Sequence, residues 1–208
     1  MDMKALLKIQ YGLFVLTTND GNRDNGCIIN TVTQVANSPE KITIAVNKAN
    51  FTRDMIFDAK KFTVSVISEG ADFELFKHFG FQSGRTVDKF ADFADTLRTA
   101  NGTLAVTKGT NAYITGDVFN LVDVGTHTVF FANVTDAKIL SDTPSATYNY
   151  YQEHIKPKPQ DKPIGKTAEG KTIWRCSICG YEYVGETLPE DFVCPLCKHP
   201  ASDFEKVV

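Results

Sequence analysis

The chain has 208 residues, 42% of them hydrophobic and 23% charged, with a formal net charge of −3. This is the composition of a globular protein with room for one ordinary domain and a small appendix, or for two small domains. The slight acidity leaves no electrostatic footprint for nucleic acid, no apolar run approaches the roughly 18 residues of a membrane span, and the first residues lack a signal-peptide core. The expectation is a cytoplasmic protein with no nucleic-acid partner and no membrane partner.

Residues 12–18 form a short β-branched and aromatic run that ends on the turn cluster Asn19-Asp20-Gly21-Asn22. Residues 26–36 follow as one long run rich in Ile, Val and Thr. Residues 41–46 and 62–67 alternate as strands with one buried face, and two later strands are predicted over 112–123 and 127–139. Two short helices are predicted, near 52–58 and near 72–79, the second with Phe73, Phe76 and Phe79 at helical spacing. Many short strands and few helices favour a mostly antiparallel barrel or sandwich over a parallel α/β sheet. The aromatic segment 142–155, with Tyr148, Tyr150 and Tyr151, is expected to pack back on that barrel.

Composition then changes. Residues 156–171 contain three prolines, five lysines and no aromatic residue, and read as a semi-rigid linker able to span up to roughly 50 Å. The 37 residues from Thr172 to Val208 carry four of the five cysteines as Cys176-x-x-Cys179 and Cys194-x-x-Cys197, within a 22-residue stretch. Four thiolates in a small, loop-rich segment read as one tetrahedral metal site. An odd Cys27 and the absence of a signal peptide argue against disulfides. A segment this small seldom folds unaided, so the metal would be its staple, with Trp174, Tyr181, Tyr183, Phe192 and Phe204 as an aromatic core. Fourteen residues separate Cys179 from Cys194, close to zinc-ribbon spacing, and the four-sulfur set alone leaves zinc and iron open. The module carries Arg175, Lys198 and Lys206 against Glu182, Glu186, Glu190, Asp191, Asp203 and Glu205; this is a docking face for a basic partner or simply a solvated surface.

The setting of the cysteines adds to this. Trp174-Arg-Cys-Ser-Ile-Cys-Gly-Tyr-Glu-Tyr183, then Leu188-Pro-Glu-Asp-Phe-Val-Cys-Pro-Leu-Cys197, resembles rubredoxin, and most closely the shortened modules of rubrerythrins. The resemblance implies a one-electron iron site with Cys176, Cys179, Cys194 and Cys197 as ligands. The loop between the pairs is shorter than in free-standing rubredoxins, and Lys198 stands where those have a second glycine.

Upstream, Asn47-Lys-Ala-Asn-Phe-Thr52 leaves a strand and enters a helix, placing Lys48, Asn50 and Thr52 at a helix N-terminus suited to a phosphate. Plain capping by Asn50 or Thr52 is the other reading of the same residues. Together with Cys27-Ile-Ile-Asn-Thr-Val-Thr33, Phe79-Gly-Phe-Gln-Ser-Gly-Arg-Thr-Val-Asp-Lys-Phe90 and Ala146-Thr-Tyr-Asn-Tyr-Tyr151, this stretch resembles the flavin reductase family over about residues 1–155. That resemblance implies an FMN-binding split β-barrel, usually dimeric. It implies Asn30, Thr31 and Thr33 beside the isoalloxazine edge, and Asn47, Lys48, Asn50 and Thr52 at the phosphate. Ser83, Arg85 and Lys89 would form a second polar cluster toward phosphate or ribityl oxygens, with ordinary surface polarity as the alternative. His127 would stand near flavin and nicotinamide, with a structural role as its alternative. Cys27 reads as packing. No Gly-x-Gly-x-x-Gly follows a strand, so NAD(P)H would bind over the flavin.

The expected architecture is therefore mainly β: a split barrel with short helices over 1–155, a linker over 156–171 and a rubredoxin-like metal-bound module over 172–208. That combination resembles the high-molecular-weight rubredoxins. It implies a homodimer that passes electrons from NAD(P)H through FMN to one iron, and on to an acceptor such as a flavodiiron reductase of O2 or NO. The alternatives are a reductase that releases reduced FMN and carries structural zinc, and a flavin-binding barrel with a zinc-ribbon interaction module.

Overall fold

The alternating runs of the first 140 residues become one antiparallel sheet of seven strands in the computed structural model, which describes residues 2–157, 172–176, 181–195 and 200–207. The strands are β1 (Phe14–Asn19), β2 (Asp24–Ile29), β3 (Val32–Asn37), β4 (Glu40–Asn47) and β5 (Lys61–Ile67), then a hairpin of β6 (Thr96–Arg98) and β7 (Leu104–Val106), then the long pair β8 (Thr110–Asp123) and β9 (His127–Ile139). Across the sheet they run β2-β1-β5-β8-β9-β4-β3, with β6 and β7 pairing apart from it. The two edge strands, β2 and β3, are consecutive in the chain and joined by Asn30 and Thr31 alone. Three peptide steps span at most about 11 Å. The sheet must therefore curl until its edges approach at that end without pairing, which makes an open, split barrel.

Residues 26–36, read as one run, are thus two strands of opposite edges. The break has a local cause. Thr31 donates its hydroxyl proton to Ala45 O (2.7 Å) and accepts the Ala45 N–H at its carbonyl (3.3 Å), so the chain turns from β1 toward β4. Alternate residues of β1, β4, β5 and β9 fill the barrel, among them Leu16, Ile42, Ile44, Val46, Phe62, Val64, Phe130 and Ala132. A second apolar cluster joins Leu13, Val15 and Ile67 to helix α2 (Phe73–Gly80) through Leu75, Phe76 and Phe79. Segment 142–155 docks there: the Tyr151 ring lies 4.4 Å from that of Phe76, and Thr147 bridges to Gly12.

The β6–β7 hairpin was not expected. It is held by buried threonines: the Thr63 and Thr103 hydroxyls are 2.6 Å apart, and Thr17 donates to Leu104 O. Hydroxyls that satisfy one another inside a protein leave no mark on hydrophobic periodicity.

The chain divides into two units, Met1–Lys156 and Pro157–Val208. In the second, β10 (Ile173–Cys176) pairs with β11 (Glu182–Val184) and β12 (Phe204–Lys206). Cys176, Cys194 and Phe204 are buried there against Trp174, Tyr181, Tyr183, Leu188 and Phe192, the expected aromatic core. Linker residues 158–171, and with residues 177–180 and 196–199 the cysteines Cys179 and Cys197, lie outside the described residues. Among the described residues no helix is long and apolar enough to cross a membrane.

Candidate functional site

Helix α1 (Phe51–Ala59) begins where four parts of the barrel meet. At the end of β4, Asn47 Oδ1 accepts the Ala49 N–H (2.8 Å) and turns the chain into the helix. Asn50 is the N-cap, its Oδ1 accepting from Thr52 N (3.0 Å). The β4–β9 register sets His127 opposite Asn47, and Lys48 N donates to Thr126 O (3.0 Å). Residues read from two stretches some eighty positions apart thus share one corner. Thr126 Oγ1 lies 2.9 Å from His127 Nδ1. Lys48 Nζ pairs with Asp123 at 2.5 Å, holding that carboxyl below its ordinary range, and Arg53 Nε donates to Thr128 Oγ1 (2.9 Å).

From the opposite side, β2 and the loop after α2 close on the same helix end. Asn25 donates through Nδ2 to Thr52 Oγ1 (3.0 Å), with both residues buried. A Cβ at Gly84 would fall 2.1 Å from Asn25 Oδ1, so only glycine lets the loop lie this close. Arg23 Nη2 donates to Gly84 O (2.6 Å). Arg85 Nη2 pairs with Asp54 at 2.5 Å, and the Arg85 and Arg23 guanidinium carbons lie 4.9 and 5.5 Å from the Phe51 ring centre. Ser83 is exposed, and its hydroxyl accepts the Arg85 N–H (3.2 Å).

Lys89 does not stand with Ser83 and Arg85 at the surface. It is 3% exposed and points inward, donating to Gly26 O and Phe79 O, each at 2.8 Å. The carbonyl end of α2 draws the cation in, and burial lowers its pKa to about 8. Burial pushes the neighbouring Cys27 thiol up, while hydrogen bonds with Thr52 and Asn50 and the Lys89 charge act against that rise.

Asn30 and Thr31 are half-buried at the β2–β3 break. Thr31 already commits its hydroxyl proton to Ala45, and Thr33 is exposed on edge strand β3 opposite Thr43. Sequence reading missed Arg23, Asn25, Phe51, Arg53, Asp54 and Gly84. The glycine of Ser83-Gly-Arg85 was a usable signal. Asn25 was not, because a polar residue inside a strand run gives no hint of what it will meet.

Arg23, Lys48, Arg53 and Arg85, against Asp54 and Asp123, surround a capped helix N-terminus, an arrangement that favours an anion. Asn25 Oδ1 is buried against Gly84, without a partner among the described residues. The cations and the helix N-terminus fit a phosphate-bearing cofactor.

In the second unit Cys176 and Cys194 are at most 1% exposed, and Cys176 N donates to Tyr181 O (2.9 Å). Soft sulfur ligands in an aromatic, water-poor setting fit iron or zinc. With Cys179 and Cys197 outside the described residues, the complete ligand set is not assembled among them.

Residues 6–158 match the family described as flavin reductase like domain, and residues 174–205 match the rubrerythrin, rubredoxin-like domain. A high molecular weight rubredoxin of Moorella thermoacetica is 34% identical over all of this chain and all of its own. The chain belongs to the high molecular weight rubredoxin family. A ferric-chelate reductase (NAD(P)H) of Archaeoglobus fulgidus is 34% identical over 84% of this chain and 98% of its own. The structure of a Streptomyces globisporus NADH:FAD oxidoreductase matches with a TM-score of 0.63 at 23% identity, over 69% of this chain and 84% of that one, a likeness of fold. The protein is thus an oxidoreductase of the flavin reductase type. Its barrel is a flavin-binding domain, and its second module implies iron.

Proposed function

We propose that this protein passes electrons from NAD(P)H through FMN in the barrel to a single iron held by Cys176, Cys179, Cys194 and Cys197, and on to a redox acceptor such as a flavodiiron reductase of O2 or NO. The observation that carries this reading is the cationic α1 N-terminus, built by β2, β4, the β8–β9 hairpin and the 83–89 loop, in the same chain as a paired Cys-x-x-Cys motif whose Cys176 and Cys194 are buried. When bound, the flavin accepts two electrons from a nicotinamide and gives them up singly, and the iron supplies a one-electron couple.

The chain's own residues bind and orient. Lys48, Asn50, Thr52 and Arg85, with Asn47 and Ser83 beside them, hold the phosphate. Asp123 and Asp54 pair with Lys48 and Arg85 and restrain them, and the Phe51 ring stiffens Arg85. Asn30, Thr31 and Thr33 hold the ring edge. His127, fixed through Nδ1 by Thr126, stands at the hairpin tip to orient the nicotinamide. The β8–β9 ribbon exposes Phe119, Val122 and Val124, and β3 exposes Val35, a face that supports a homodimer. Residues 156–171 join the two domains, and a cytoplasmic setting, which keeps metal-binding thiols reduced, suits this reading.

Flavin and metal analysis with anaerobic titration by NADH and by NADPH tests the reading. One FMN and one iron per chain are expected, with the ferric thiolate colour bleaching alongside the flavin. One zinc with negligible iron, or a flavin that is reduced while the iron colour persists, overturns it.

A further inference from the structure

Among the described residues Lys89 is the only charged side chain that is buried. No carboxylate among them pairs with it; its ammonium donates to two backbone carbonyls, Gly26 O and Phe79 O. A neutral amine or amide serves two carbonyls at a smaller desolvation cost, so packing alone does not call for the charge. A buried cation without a counter-ion instead favours negative charge placed near it.

Its position says where. Gly26 lies between Asn25, whose amide bonds Thr52, and Cys27, whose thiol interacts with Thr52, Asn50 and the Lys89 charge. The ammonium therefore stands directly behind the residues that cap α1.

We propose that Lys89 is a positioning residue acting by charge: from behind β2 it strengthens the hold of the α1 N-terminus on a phosphate group. This rests on reading that terminus as the flavin phosphate site. With its pKa lowered to about 8, Lys89 is charged at neutral pH and loses that charge as pH rises. The flavin phosphate is by then a dianion, since phosphomonoesters lose their second proton near about pH 6. Affinity for the phosphate should accordingly fall as pH rises through about 8.

The other charged groups around Lys89 are accounted for. On β2, Asp24 pairs with Arg98, Arg23 bonds Gly84 O, and Cys27 is a thiol raised by burial. On α2, Glu74 pairs with Lys77, and His78 Nε2 lies 2.6 Å from Lys89 O. On α1, Asp54 pairs with Arg53 and Arg85, and on the loop Asp88 accepts the Phe90 N–H.

The test uses the full chain stripped of flavin, titrated with FMN, riboflavin and inorganic phosphate between about pH 7 and about pH 9 at constant ionic strength. Flavin binding is followed by fluorescence and phosphate binding by thermal shift. FMN affinity is expected to drop about tenfold across the window while riboflavin affinity holds. Lys89→Gln should lose that tenfold at neutral pH and become pH-independent, Lys89→Arg should keep FMN affinity across the window, and Cys27→Ala should retain the wild-type fall. Wild-type affinity and pH profile in Lys89→Gln, or an equal fall for riboflavin and FMN, overturns the proposal. If Lys89→Gln does not fold, the wild-type and Cys27→Ala profiles with the two flavins decide. Failure to bind either flavin, while phosphate still stabilises the protein with the expected pH dependence, sinks the flavin reading and leaves the role of Lys89 standing. A pH-independent phosphate effect in that case removes both.

Discussion

Gly84 and Asn25 show how little space the corner at the α1 N-terminus leaves for a side chain. With a Cβ only 2.1 Å from Asn25 Oδ1, Gly84→Ala must displace the Asn25 amide or lift the loop. The expected cost is about 1–3 kcal/mol of stability, typical of overpacking, with weaker FMN binding because Thr52 loses its donor. Thermal unfolding and a flavin titration of the variant check both. Lys89 makes a second prediction. Its pKa of about 8 in the folded chain lies below the ordinary 10.5, so between these values the unfolded chain binds more protons. The Lys89 contribution to flavin-free stability therefore rises with pH over that interval, opposite in sign to the fall in FMN affinity. Denaturant titrations at several pH values should show the rise, and Lys89→Met should flatten it.

The first turn of α1 is capped by Asn50 and, on the proposed reading, also holds the flavin phosphate; one pair of variants separates the two roles. Asn50 caps the helix through Thr52 N, so Asn50→Ala should cost about 1 kcal/mol and weaken FMN binding as well. Asn50→Asp keeps a capping carboxylate and adds negative charge beside the phosphate position. Stability should hold while FMN affinity drops and riboflavin affinity does not. Equal losses for both flavins would leave capping as the only role of Asn50. The helix itself was legible in the sequence because its capping residue, its turn from β4 and its hydrophobic spacing are all local. The division of residues 26–36 into β2 and β3 was not, because the cause is a hydrogen bond from Thr31 to Ala45 on another strand.

The two units differ in what holds them. The barrel has two apolar clusters, whereas the second unit buries Cys176 and Cys194 beside Phe204 under a few aromatic rings. Too small to rest on that core, the module should depend on its metal. Calorimetry of the metal-loaded chain should show two transitions. Chelation, or Cys194→Ser, should abolish the module's transition and leave that of the barrel in place. A module transition that survives metal removal would contradict the staple role.

Much of this protein is written locally. The Cys-x-x-Cys pairs, the change of composition at residue 156, the period-two strands and the cap of α1 each depend on residues a few positions apart. They could be read without coordinates, as could the family resemblance they carry. The corner at the α1 N-terminus could not, because it is made by pairs 27 to 75 residues apart: Asn25 with Thr52, Arg85 with Asp54, Lys48 with Asp123, Arg53 with Thr128. Lys89 is the sharpest case. Its sequence neighbours Ser83 and Arg85 stay at the surface, yet packing of the loop against β2 and the carbonyl end of α2 turns its charge inward. Hydrophobic periodicity decides which face of a strand is buried, but only the closed barrel decides which polar groups meet behind it.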